Sequence, residues 1–126
     1  EWRQESKIYA SVFDGTSLEA WLRAQDVDTI TLVGFMRNNC VIGSAVGAEP
    51  PGLKVEVLSN ATGAINICNA AGEVDGKTLH TTLMAMLNSN LAAVTDVADW
   101  GKAVADKAAL QGSNLIESAL NARAGA

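Results

Sequence analysis

Thr29-Ile30-Thr31-Leu32-Val33-Gly34-Phe35-Met36-Arg37-Asn38-Asn39-Cys40 is the stretch on which the reading of this chain turns. Its first five residues form a β-branched run of strand length that ends at Gly34, and such a run is expected to be a buried strand. A helix is expected from Asn38 or Asn39, carrying Val41, Ile42, Ala45 and Val46 and stopping before Pro50-Pro51-Gly52. Upstream, Asp26-Val27-Asp28 separates the strand from a helix that Thr16 or Ser17 can cap. In that helix Leu18, Trp21 and Leu22 recur at helical spacing up to about Gln25, with Glu19 placed to favour the N-terminal dipole. Earlier still, a polar start turns apolar at Ile8-Tyr9-Ala10, Val12 and Phe13, a short extended piece closed by Asp14-Gly15.

Downstream, Leu53 to Leu58 reads as a second strand, and Asn60 to Asp75 as a loop with a helical turn around Ile65 to Ala70. Lys77 to Leu87 is a helix with Leu79, Leu83, Met86 and Leu87 on one face. Ala92 to Val97 is a last strand, and Trp100 to about Asn121 a last helix. Strict alternation of helix and strand predicts an α/β fold, a three-layer α/β/α Rossmann-like parallel sheet. Three strands are few for such a sheet, because parallel strands want neighbours on both sides and cover on both faces. Part of the sheet is therefore expected outside this chain.

The 126 residues fit one domain. With 48% apolar and 18% charged residues and a mean hydropathy of +0.14, the chain can build a core and is not of the disordered class. Its net charge of −5 and its scattered Lys and Arg residues exclude a nucleic-acid-binding face. No apolar run approaches the roughly 20 residues of a membrane span. The start, Glu1-Trp2-Arg3-Gln4-Glu5, lacks the basic opening and apolar core of a secretory signal and reads as a cut or processed end. Two cysteines, Cys40 and Cys68, do not make a disulfide scaffold, so a cytoplasmic location is expected.

Open α/β sheets bind ligands at the carboxyl ends of their strands, which directs attention to the residues after Val33. A cysteine entering a helix from a sharp turn meets unpaired backbone N–H groups and the helix dipole, which stabilise a thiolate and can hold an oxyanion. On the local pattern alone Cys40 is either such a nucleophile or a small buried apolar residue. Cys68, in an apolar stretch, is expected to be buried and inert. Met84 and Met86 are expected in the core, and Trp100 has no evident partner.

Lys7-Ile8-Tyr9-Ala10-Ser11-Val12-Phe13-Asp14-Gly15-Thr16, followed by Gly34 to Cys40, resembles the second half of the isochorismatase-like cysteine hydrolases, a family that includes nicotinamidases and N-carbamoylsarcosine amidohydrolases. The similarity continues through Gly52 to Val57, Ala61-Thr62-Gly63 and His80 and spans roughly residues 7 to 97. It implies that Lys7, six residues before Phe13, is the catalytic lysine and that Cys40 is the nucleophile. It also implies a cis peptide between Phe35 and Met36, with the backbone N–H groups of Met36 and Cys40 as the oxyanion hole. Phe35 is placed near the pocket mouth. Arg37 stands where the family usually has Thr, to contact an anionic substrate, face solvent or serve the structure.

The implied reaction is hydrolysis of a C–N bond in a small amide or carbamoyl compound through a covalent thioester-type intermediate. No cofactor and no metal are expected on residues 1–126, which correspond to the C-terminal part of a single isochorismatase-like hydrolase domain. The family's catalytic aspartate and its N-terminal strands have no counterpart here, and Asp14 and Asp28 do not match that aspartate. The expected partners are a small-molecule substrate, further copies of the chain, or a chain carrying the N-terminal half. Two other readings stand beside this one: a non-catalytic relative acting as a structural or interaction subunit, and a vinyl-ether hydrolase of the isochorismatase type, in which a cysteine nucleophile is not needed.

Overall fold

The run Thr29–Phe35 forms β1, and everything that positions the candidate site is arranged about its carboxyl end. The structure, a computed structural model, describes residues 2–125. Helix α1 (Leu18–Ala24) precedes β1, and a single π-helical turn (Arg37–Val41) leads from it into α2 (Ile42–Gly47). The chain returns through β2 (Lys54–Gly63), a small antiparallel hairpin of β3 (Ile67–Asn69) and β4 (Gly72–Val74), and α3 (Gly76–Met86). A second π-helical turn (Leu87–Leu91), β5 (Ala93–Thr95), α4 (Val97–Ala105) and α5 (Leu115–Ala124) follow.

The main sheet is parallel, in the order β1-β2-β5, with Ile30 opposite Val55 and Val57 opposite Val94. Successive side chains of a strand point to opposite faces. On one face Val55 and Val57 are buried in a cluster with Val41, Ala45 and Ala48 around α2 and with Leu83, Met84 and Leu87 from α3 and the turn after it. On the other, Thr31 and Glu56 face each other across the strands, and the Trp100 indole N–H of α4 donates to both, at 3.2 Å to Thr31 Oγ1 and 3.1 Å to Glu56 Oε2. Helices thus flank a parallel sheet on both faces, the α/β architecture expected from the alternation, and Trp100 has its partners.

Several local expectations are corrected. β1 is not a buried strand: β2 is its one sheet neighbour among the described residues, and Val33, Gly34 and Phe35 are exposed. The stretch from Asn60 is not a loop with a helical turn. β2 runs on to Gly63 because Thr62 and Gly63 pair with Gly34 and Phe35, and the hairpin β3–β4 occupies the rest. The last helix is two: Lys107 adopts φ +53°, residues 106–114 leave the helix, and the Asn114 side chain caps α5 by accepting the Glu117 N–H at 2.8 Å. Cys68 is exposed on β3, not buried, and Met86 is 40% exposed while Met84 is in the core.

Candidate active site

Lys7 lies 33 residues before Cys40 in sequence, and the fold brings its ammonium within 3.2 Å of the Cys40 sulfur. The same Nζ donates to the Tyr9 carbonyl at 2.9 Å, which turns the side chain back over its own segment. Cys40 is half-buried, on the π-helical turn at the carboxyl end of β1. The peptide bond Phe35–Met36, where β1 ends, is cis. The Met36 carbonyl accepts from the Asn39 and Val41 N–H groups and so closes the turn that carries the sulfur.

Lys7 is carried by a segment whose residues 10–13 pack against α2. Helical glycines 43 and 47 leave the space: a Cβ at Gly43 would lie 2.8 Å from Ala10 Cβ, and one at Gly47 would fall against the Ser11 hydroxyl. Ser44, between them and buried, accepts the Val12 N–H at 3.0 Å, and the buried Ser11 hydroxyl accepts the Phe13 N–H at 3.2 Å. Further out, Arg3 lies over the Trp21 ring at 5.3 Å and pairs with Glu5. Hydrogen bonds from Arg3 and Ser17 hold the Glu5 carboxyl below its ordinary range.

Beside Cys40 opens a cavity of about 320 Å³. Its wall is apolar, with Val12, Phe13, Leu32 and Phe35 among its residues, and Cys40 and Ser44 supply polar atoms. It runs along the free side of β1, and Phe35, 68% exposed, stands at its rim. Among the described residues no carboxylate hydrogen-bonds to Lys7 or Cys40. Asp14 lies in a different depression, with Tyr9 and Asn39, and Asp28 at the opposite end of β1, before its first residue. No group of three His, Cys, Asp or Glu side chains among the described residues could hold a metal ion. No described helix is long and apolar enough to cross a membrane.

Of the roles open to Arg37, solvent exposure is contradicted and a structural role is found. The side chain is fully buried and does not line the cavity. Its Nε donates to Thr62 Oγ1 at 2.9 Å and its Nη2 to the Ser59 carbonyl at 2.8 Å, with further contacts to Thr62. Burial pushes the guanidinium below its ordinary pKa. A charged residue in a strand-to-turn position gives no sequence signal for burial, so this placement was not legible beforehand.

The fold and the site define a class: a parallel α/β domain with a lysine-paired cysteine on a sharp turn at the carboxyl end of a strand. The model of the Isochorismatase domain matches residues 5–99, and the chain belongs to that family. It is similar to a crystallised protein of the isochorismatase type from Burkholderia xenovorans LB400, with a TM-score of 0.91 and 36% identity, over 94% of this chain and 57% of that one. A cysteine hydrolase from Pseudomonas syringae pv. phaseolicola 1448A superposes with a TM-score of 0.75 at 27% identity, over 79% of this chain and 47% of that one. The maleamate amidohydrolase of Pseudomonas putida KT2440 is 43% identical over 58 residues, which is 46% of this chain and 27% of that protein. The chain thus spans about half the length of its structural relatives and about a quarter of this curated one.

Proposed function

We propose that this chain carries the nucleophile of a cysteine amidohydrolase that cleaves a C–N bond in a small amide or carbamoyl compound. The 3.2 Å contact between Lys7 Nζ and Cys40 Sγ carries this reading, because it sets a cation beside a sulfur that opens onto the cavity, the arrangement in which a cysteine attacks a carbonyl carbon. The attack forms an S–C bond and places negative charge on the carbonyl oxygen. The Met36 and Cys40 backbone N–H groups would receive that charge, as the resemblance implies. Collapse breaks the C–N bond, the amine leaves with a proton, and water cleaves the thioester to release the acid and restore the thiol. The similarity to a maleamate amidohydrolase and to a cysteine hydrolase supports amide chemistry.

The group that takes the thiol proton is, in this reading, a carboxylate on a strand that pairs with the free edge of β1. That strand belongs either to further polypeptide joined to this chain or to a second one. Residues 1–126 are then the C-terminal part of the domain, and two free thiols suit a reducing compartment such as the cytoplasm. The test is turnover of a panel of simple amides by the protein with this strand present. Cys40→Ala should lower kcat by about 10³-fold or more, and Cys68→Ala should leave it unchanged. Full activity in Cys40→Ala overturns the proposal.

One observation favours a second reading, in which the chain is an interaction subunit. Among the described residues one edge of β1 has no strand partner, it carries exposed Val33 and Phe35, and such edges recruit other strands. Light scattering distinguishes the cases: a stable monomer of the 126-residue chain would contradict a subunit that depends on edge pairing.

A further inference from the structure

The pairing of β1 with β2 is interrupted in a way that involves Arg37. Leu32 lies opposite Val57, but Gly34 lies opposite Thr62, so β1 advances two residues while β2 advances five. Leu58 to Ala61 therefore have no partner in β1, although Leu58 still pairs with Thr95 of β5. A bulge of this size leaves carbonyl groups without strand partners, and buried carbonyls need donors. Thr62 closes the arc on one side by donating its hydroxyl to the Leu58 carbonyl at 3.0 Å. At the tip, the Asn60 side chain accepts the Val97 N–H at 2.9 Å and ties the arc to the start of α4.

Arg37 closes the arc from within. Its Nη2 reaches the Ser59 carbonyl, the Thr62 carbonyl and the Thr62 hydroxyl, and its Nε donates to that hydroxyl as well, so the guanidinium grips Thr62 through two nitrogens. No carboxylate pairs with it among the described residues, and its Nη1, also buried, has no partner there. Burying an unpaired cation is costly, and an apolar side chain would fill the same volume without that cost. The backbone of Arg37 is also the first residue of the π-helical turn that ends in Cys40 and Val41. One side chain thus fixes the bulge of β2 to the turn that holds the sulfur.

We propose that Arg37 is a positioning residue for Cys40, acting through Thr62 and the β2 bulge to hold the nucleophile turn in register with Lys7. This rests on the reading of Cys40 as the reactive thiol. The test compares Arg37→Met, Arg37→Lys, Thr62→Val and Thr62→Ser in the intact chain at neutral pH. Alkylation of Cys40 and Cys68 by iodoacetamide is followed peptide by peptide, together with hydrogen exchange of segments 37–41 and 58–62. The exposed Cys68 on β3 serves as the internal reference.

Arg37→Met should slow Cys40 relative to Cys68 by about tenfold, the scale of a sub-ångström to 1 Å misplacement, and should speed exchange in both segments. Arg37→Lys, which keeps a cation but loses the second nitrogen that grips Thr62, should fall between Arg37→Met and the wild type. Thr62→Val should fall in the same direction, and Thr62→Ser, which keeps the hydroxyl, should preserve the wild-type ratio. If Arg37→Met does not fold, Arg37→Lys and the Thr62 pair carry the same comparison. A lower melting temperature with the Cys40-to-Cys68 ratio and the exchange of 37–41 unchanged overturns the proposal, because a residue that only fills space would give that result. Failure of the amidohydrolase reading appears elsewhere, as undiminished turnover in Cys40→Ala, and leaves the exchange comparison standing.

Discussion

Replacing Gly43 by Ala tests whether the packing of residues 10–13 on α2 sets the Lys7–Cys40 contact. Gly43 has no unusual φ, so an alanine is acceptable to the helix itself. Its Cβ, however, would lie 2.8 Å from Ala10 Cβ, 3.0 Å from the Ala10 carbonyl carbon and 3.1 Å from the Ser11 nitrogen. Two of these are main-chain atoms, and no rotamer change relieves them. Restoring ordinary carbon–carbon separation, about 3.5–4.0 Å, moves the segment away from α2 by about 1 Å. Overpacking of this kind costs about 1–3 kcal/mol, and exchanging Gly for Ala within a helix returns about 1 kcal/mol. The net change in stability is therefore small, a loss of about 0–2 kcal/mol.

The effect on activity should be larger. Lys7 is carried by the displaced segment, and its 3.2 Å contact with the sulfur does not survive a 1 Å shift unless the side chain re-extends. Turnover of an amide that depends on Cys40 should fall about 10- to 100-fold. The assay is kcat/KM beside thermal unfolding. Gly101→Ala is the control, because nothing lies within 4 Å of its added Cβ, and it should gain about 1 kcal/mol of stability in α4. A Gly43→Ala protein with wild-type kcat/KM would refute the claim that the close approach of this segment to α2 positions Lys7.

Lys7→Met should leave the melting temperature nearly unchanged, since Lys7 is exposed, while lowering turnover at neutral pH; equal turnover would remove the lysine from the mechanism. Trp100→Phe removes a donor from the half-buried Glu56 carboxylate and should cost about 1–3 kcal/mol in chemical denaturation; no loss would mean that this bond does not hold α4 to the sheet. Asp75 caps α3, and the Thr78 N–H and hydroxyl hold its carboxyl below the ordinary range. With a folded pKa below the unfolded one, its stabilisation is complete above the unfolded carboxylate range near 4 and is lost as pH falls through the folded value. The melting temperatures of wild type and Asp75→Ala should therefore differ at neutral pH and converge in acid; a gap that widened in acid would contradict this.

The layered fold was legible because it follows from period and punctuation. The β-branched run 29–33, the break at Pro50-Pro51 and the helical spacing in 77–87 each act within a few residues. What escaped was set by partners distant in sequence. Residues 62 and 63 belong to β2 because Gly34 and Phe35 offer ladder partners, a fact absent from the local composition of Asn60 to Asp75. The helix expected from Trp100 breaks at Lys107 although no proline or glycine stands there. Residues beyond the break are drawn instead to the turn after α3, where the Ser113 N–H donates to the Asn88 carbonyl at 2.9 Å.

The site divides in the same way. Cys40 could be singled out from the strand-to-turn pattern, but nothing in periodicity joins it to Lys7, and only the resemblance of two separated motifs suggested that pair. Arg37 was harder still, because its burial depends on the bulge of β2, and the bulge depends on a register between two strands that sequence spacing does not specify. The direction of causation is informative. If the bulge existed for its own sake, the cheapest filling would be apolar and its carbonyls would turn to solvent. Instead a buried guanidinium binds them from the residue that opens the nucleophile turn. The strand irregularity and the turn are therefore one structural unit, and a substitution at Thr62, 22 residues after Cys40, should be felt at the sulfur.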